Sequence, residues 1–248
     1  MHPGYRICLL IMSLALAACT STSQVQPAVA FVPESAALDA EKPDLAWWQL
    51  RFRFVWDQEE APDFSAHLLI AEQLLLPVIV EQQAGLALWR FHRRAGPGDS
   101  GNQFSLIFYS DAATAERIDQ QITSAPLTQW LLQNKLIDKV RFAQRSPEEL
   151  GRLELTSDPE WPIEMQRSWP YYAMGASQAW LMLVQELSQE DAPAGDVDYP
   201  TLLLHYQDVD ARLNAQWRSF GQHAYLHHLS AIYGYQPLQI RSNELRTF

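Results

Sequence analysis

The chain has 248 residues, of which 48% are hydrophobic and 19% charged, and its net charge is −11. That much apolar sequence supports a substantial core and excludes a disordered or fibrous chain. The acidic balance argues against general affinity for nucleic acid or for anionic lipid head groups.

At the start, His2 and Arg6 give a weakly basic flank to an apolar run from Ile7 to Ala15. The run is far shorter than the ~20 residues of a bilayer-spanning helix, so it is a targeting segment. Leu16-Ala17-Ala18-Cys19 follows it directly and resembles the lipobox of bacterial lipoproteins. The resemblance implies that residues 1–18 are a signal peptide, that Leu16 fills the apolar pocket of the signal peptidase, and that Cys19 becomes the N-terminus. It also implies diacylation of the Cys19 sulfur, usually with acylation of the new amino group. Each buried methylene adds ~0.8 kcal/mol, so two or three acyl chains anchor stably. Thr20 stands where, in that family, an aspartate favours inner-membrane retention, which implies the periplasmic face of the outer membrane. The alternative is an ordinary secretory leader cleaved at an A-x-A-like site, with Cys19 left as a thiol. Cys8 is removed in either case, and a domain of this size needs no disulfide in an oxidising compartment.

From Thr20 to about Ala46, Ser, Thr, Ala, Gln and Pro dominate without helical or strand periodicity. Residues 19–46 therefore read as the lipidated cysteine and a flexible linker spanning roughly 30 Å.

The folded part opens on alternation. Trp48, Leu50, Phe52, Phe54 and Trp56 share one face of a strand, and Arg51 and Arg53 the other. Asp63 or Ser65 can cap a helix that continues to Gly85, with Pro77 predicting a kink or break. Leu86 to Arg94 alternates again, Trp89 and Phe91 against Arg90, His92 and Arg94. A Gly-rich loop leads to a third strand, Gln103–Tyr109, with Phe104, Leu106 and Phe108 inward. Asp111 caps a helix over 112–122, a further helical piece starts near Pro126, and 138–144 is a fourth strand. The order β-α-β-β-α-β over residues 47–145 is that of a ferredoxin-like α+β sandwich, with both helices on one face.

Residues 146–248 read as a mainly helical region packed on the sandwich. Ser146-Pro147-Glu148-Glu149 is a capping-box start for a short turn. Pro170 fits the first position of a helix reaching Glu190, and a Pro, Gly and Asp-rich break separates it from a long helix beginning near Pro200. There Leu202, Tyr206, Val209, Leu213, Trp217 and Phe220 form one apolar stripe, read as core packing or as a surface that docks a separate protein. Gly234 can end the last helix, and residues 237–241 could add an edge strand.

Three constellations could carry function. If the aromatic strand faces meet the helices, the opposite face collects Arg51, Arg53, Arg90, His92, Arg94, Lys139 and Arg141, a platform for a carboxylate, a phosphorylated head group or an acidic protein. The competing reading is that these cations pair with acids of the C-terminal half or are only solvated. Second, His223 and His227 stand at i, i+4 and could share a zinc ion, although His205 lies ~27 Å away along a continuous helix and could join only if Gly221 breaks it. Third, Gly175-Ala-Ser177-Gln-Ala179 approaches a nucleophile elbow, and Ser177, later aspartates and His223, His227 or His228 follow the order of a hydrolase triad; small residues that let another helix approach explain it equally.

No nucleotide-phosphate, dinucleotide, calcium or Cys-based motif is present. The expectation is a lipid-anchored, non-catalytic binding or scaffold module for a protein or an anionic small molecule, with no nucleic-acid partner and no cofactor beyond the covalent lipid. The alternative is a metal-dependent or serine hydrolase centred on His223/His227 or Ser177.

Overall fold

A computed structural model describes residues 44–237 apart from 58, 60, 97–100, 145–149 and 196. Strands β1 (Ala46–Phe54), β2 (Leu86–Gly96), β3 (Gly101–Ser110) and β4 (Ile137–Gln144) form one antiparallel sheet in the order β2-β3-β1-β4. Helices α1 (Ser65–Ile70) and α2 (Leu76–Glu81) follow β1, and α3 (Ala112–Ser124) and α4 (Pro126–Gln133) follow β3. After β4 come α5 (Ile163–Glu190), α6 (Tyr199–Gly221) and α7 (His228–Ile232). The architecture is mixed α and β.

The period-2 reading of β1 holds for its centre, where Leu50, Phe52 and Phe54 are buried and Arg51 and Arg53 between them are half-buried. It misses Trp47, which alternation puts with the arginines and which is nonetheless buried. Its indole N–H donates to the Leu153 carbonyl at 3.0 Å and its ring lies 4.9 Å from that of Tyr109. The segment just before α5 therefore folds over that end of the sheet face, tied also by Gly151 N–H donating to the Leu45 carbonyl at 2.7 Å.

Both unfavourably placed prolines are accommodated without a break. Between α1 and α2 the turn Ala71–Leu75 is a π-turn in which Leu76 N–H donates back to the Ala71 carbonyl. The wider turn brings Pro77 into the first turn of α2, where a missing N–H costs little. Pro170 was expected to open its helix; instead α5 starts at Ile163 after Pro162, and Pro170 is buried in its interior. A proline there leaves the Gln166 carbonyl without its helical donor, and the Ser157 hydroxyl donates to that carbonyl at 2.6 Å. A side chain from outside the helix thus replaces the lost backbone bond.

Other helix ends follow the sequence signals. Asp111 accepts from Thr114 N–H at 2.9 Å to cap α3, and Asp198 accepts from Thr201 N–H at 3.0 Å to cap α6, with Pro200 in its first turn. Gly234 takes φ +65° just after α7, and Tyr235 N–H closes the end on the Ser230 carbonyl at 2.8 Å. The capping-box turn at 146–149 and nearly all of the edge strand at 237–241 lie outside the described residues.

The core forms between the apolar sheet face and α1: the His67 ring sits 4.4 Å from Phe54 and 5.1 Å from Phe104. Helix α6 packs on this layer through Tyr206, Val209 and Leu213, all buried. The stripe ends there as a packing surface, because Trp217 and Phe220 are 56% and 65% exposed. Helix α5 runs against β2, whose edge would otherwise offer unpaired backbone groups. Phe91 N–H on that edge donates to the Ser177 hydroxyl at 3.0 Å.

Ser157→Ala should destabilise the fold by ~1 kcal/mol, the typical worth of one hydrogen bond, by stranding the Gln166 carbonyl. In a Pro170→Ala background the restored N–H takes that carbonyl, so the same change should cost less. Urea unfolding of the double-mutant cycle measures the coupling.

Candidate functional site

The sheet register assembles the basic face row by row. Arg94, Gln103, Arg53 and Lys139 are successive partners across the four strands; His92, Ser105, Arg51 and Arg141 form the next row; Arg90, Ile107, Gln49 and Ala143 the third. All seven residues expected on this face are therefore brought together. With strands ~4.8 Å apart and alternate residues ~6.6 Å apart, the platform measures roughly 14 by 13 Å. His92, Arg94 and Arg141 are exposed, and Arg51, Arg53, Arg90 and Lys139 half-buried.

Several of these cations are already engaged, Arg90 and His92 among them. Asp138, at the β1–β4 irregularity, lies 3.5 Å from Arg53 and 3.9 Å from Lys139. Gln49 holds the Arg51 guanidinium at 3.0 Å and in turn donates to the Ser105 hydroxyl at 3.1 Å, so a polar chain crosses the face. Among the described residues Arg94 and Arg141 have no carboxylate within ion-pair distance. The C-terminal half covers the Trp47 end of the face, Ile107, Ser105 and the Arg90 Nε are buried within it, and His92, Arg94 and Arg141 stand exposed.

Over the β2 edge the face continues into an open groove of about 340 Å³ between β2 and α5, lined by Arg90, His92 and Arg93 and by Trp169, Tyr172 and Trp180. Sequence reasoning did not single out Arg93. It shares the apolar parity of Trp89 and Phe91, and that misplaced charge was the available signal. Its side chain is 27% exposed, with Nε and Nη2 buried. The guanidinium lies 4.5 Å from the Phe64 ring centre, 5.4 Å from Trp180, and 3.7 Å from the Asp210 carboxylate. Burial lowers the Arg93 pKa and raises that of Asp210, each effect opposed by the attraction between the two.

Beneath Arg93, His67 is fully buried among the rings of Phe54, Phe64 and Phe104. Burial, with the Arg93 charge adding to it, holds its pKa well below the usual histidine range against a smaller opposing effect of Asn102. The ring is therefore neutral at physiological pH. A second polar cluster joins α5, α6 and the π-turn: Glu72 accepts from the Ser188 hydroxyl at 2.7 Å and from the Tyr206 hydroxyl at 2.9 Å, and Gln73 donates to Tyr206 at 2.8 Å. Burial raises the Glu72 pKa despite both hydrogen bonds. Tyr206 is also raised, by burial first and then by the Glu72 charge.

The remaining candidates lie elsewhere. The Ser177 hydroxyl donates to the Ala173 carbonyl at 2.7 Å while accepting from Phe91 N–H, so its bonds tie α5 to the sheet edge. Gly221 does not break the helix: α6 runs on through a π-turn, Gln222–His227, into α7. His223 and His227 stand on that turn with ring centres 5.8 Å apart, while His205 accepts or donates at 3.0 Å with the Ser188 carbonyl, far back along α6. Among the described residues no group of three His, Cys, Asp or Glu side chains is arranged to hold a metal ion.

Compared with protein-family models, curated protein sequences and solved structures, the chain matches none. Among the described residues no helix is long and apolar enough to cross a membrane.

The buried neutral His67 makes the fold acid-sensitive with a defined sign. Below ~6.5 the unfolded chain takes up a proton that the folded ring refuses, so stability falls by up to ~1.4 kcal/mol per pH unit until the folded pKa is reached. His67→Phe keeps an aromatic ring among Phe54, Phe64 and Phe104 and removes this term. Urea midpoints measured from pH 7.5 to 5 should show the variant gaining on the parent as pH falls; parallel curves would refute a neutral His67.

Proposed function

We propose that the chain is a lipoprotein anchored through lipid on Cys19 at the periplasmic face of the outer membrane, and that its domain is a non-catalytic binding module. Its sandwich is of the ferredoxin-like kind, a reading supported by the element order and the strand order β2-β3-β1-β4. The module uses the basic sheet face to hold an anionic partner, either an acidic protein surface or a small molecule carrying carboxylate or phosphate. The observation that carries this reading is the register of Arg51, Arg53, Arg94, Lys139 and Arg141 on one sheet face, Arg94 and Arg141 exposed, with Arg90 in the adjoining row, in a chain whose net charge is −11. Backbone pairing fixes the spacing of the strand positions that carry these side chains, each long side chain still pays its own ordering cost on binding, and guanidinium forks match planar anions two bonds at a time. No nucleic acid is required, because the surrounding acids repel an extended polyphosphate while the face itself has room for a compact anion.

Two measurements test the reading. Palmitate labelling of cells should mark the chain, and Cys19→Ser should abolish the label. Crosslinking in intact cells should capture a partner, and Gln at positions 51, 53, 94 and 141 together should reduce its recovery at least tenfold while leaving the thermal midpoint near that of the parent. Full recovery by the four-fold variant would show the face to be solvated structure only.

A further inference from the structure

The last part of the helical region differs from the rest of the molecule in both packing and composition. Of residues 215–237 only Gly221 is buried. Beyond Leu213 the helix thus leaves the body of the domain and runs on through the π-turn and α7. At ~1.5 Å per residue, the stretch from 215 to the end of α7 projects roughly 27 Å. Its exposed side chains are large and apolar: Trp217, Phe220 and Leu226 are 56%, 65% and 54% exposed, and Ile232, Tyr233 and Tyr235 at the tip are 69%, 70% and 70% exposed. Leaving such residues in water is unfavourable by ~25 cal/mol per Å² of apolar surface, and a patch of this kind marks a contact.

The charge pattern says what kind of contact. No acid occurs between Asp210 and Glu244, although acids outnumber bases 29 to 18 in the chain. No Asp, Glu, Lys or Arg at all occurs between Arg218 and Arg241, so an uncharged stretch is bracketed by two arginines. The aromatics are mainly of the type with an apolar body and a polar tip, Trp217, Tyr225, Tyr233 and Tyr235, which suit the boundary between lipid and water. Three histidines, His223, His227 and His228, add imidazoles on the same arm. Gly221 shapes this surface: a Cβ there would stand 2.7 Å from the Trp217 ring, so only glycine lets the indole lie flat on the helix, stacked 5.9 Å from Tyr225. At helical spacing Phe220, Tyr225, Leu229, Ile232 and Tyr233 fall on the side of Trp217, with which Tyr225 stacks, while His223 and His227 lie together on another side. A helix sided in this way suits the plane of a bilayer interface, apolar side inward.

We propose that this arm, residues 217–235, lies along the headgroup region of an anionic phospholipid bilayer with its apolar side inward, which sets Arg218 beside lipid phosphates. It is a second and weaker contact than covalent lipid, and it sets which way the domain faces once held near a membrane. The inference uses neither the acylation of Cys19 nor the basic sheet face.

The test reads the arm alone. In the full chain carrying Cys8→Ser and Cys19→Ser, an environment-sensitive fluorophore is placed at Leu226→Cys, and in a control at Ala113→Cys on the exposed side of α3. With vesicles of phosphatidylethanolamine and phosphatidylglycerol, the label at 226 should shift its emission to the blue and be quenched by nitroxide-bearing lipid, and the label at 113 should do neither. Ile232→Asp with Tyr233→Ser should abolish the shift without changing far-UV circular dichroism, and Gln at 51, 53, 94 and 141 should leave it intact. An unshifted label at 226 overturns the proposal. So does a shift that appears without lipid and grows with protein concentration, which would make a second copy of the chain the occupant. Loss of the shift in the four-fold arginine variant would also overturn it, by making the sheet face the lipid contact.

Discussion

Both long helices are fitted around one misplaced cation. Arg93 belongs by strand parity to the apolar side of β2, and Phe64 ahead of α1, Trp180 on α5 and Asp210 on α6 all close on its guanidinium. A buried ion pair returns little net stability, because both charges give up water. What it supplies is a geometric preference: Asp210, also held by the Asn214 amide at 2.9 Å, faces Arg93 at 3.7 Å, and that pairing favours one rotation and height of α6 against β2. Burial first and the Arg93 charge second hold the His67 pKa well below the usual histidine range, so the ring adds no second cation beneath Arg93. Glu72 performs the complementary task on the other side of α6. Its carboxylate takes hydroxyls from α5 and α6 at once and so fixes the distance between them.

What could be read from residues alone was whatever repeats with a short period or sits at an element end. Alternation located the four strands and sorted Leu50, Phe52 and Phe54 from Arg51 and Arg53, because a strand face is a local property. Asp111, Asp198 and Gly234 marked helix ends because capping acts within four residues of the cap. The same periodicity assembled the basic face in advance, needing only the strand order to bring Arg94, Arg53 and Lys139 into one row.

The rest depended on partners distant in sequence. Pro170 reads as a helix start because a proline inside a helix strands a carbonyl; nothing near it reveals that Ser157 serves that carbonyl from outside. Ser177 sits in a nucleophile-like string, and its use at the edge of β2 needs knowledge that Phe91 N–H faces it across 86 positions. The apolar stripe of α6 is continuous from Leu202 to Phe220, yet its partners end at Leu213. Periodicity identifies a face and is silent on how far along that face the rest of the molecule extends.

The net charge of −11 is likewise an average over surfaces that behave differently. At physiological ionic strength charges are screened over about 8 Å. The arginine platform is wider than that, roughly 14 by 13 Å from strand spacings. An anion settled at its centre is therefore governed by Arg51, Arg53 and their row partners, and the acids on distant faces are screened from it. Those acids act on approach, where they disfavour long polyanions that would have to cross them. The arm beyond Leu213 obeys the same limit in the opposite sense: with no acid after Asp210 until Glu244, it can meet a negatively charged surface without local repulsion, whatever the sum over the chain. Composition thus constrains long-range behaviour, and contact chemistry is set by which residues the register and the helix ends gather within one screening length.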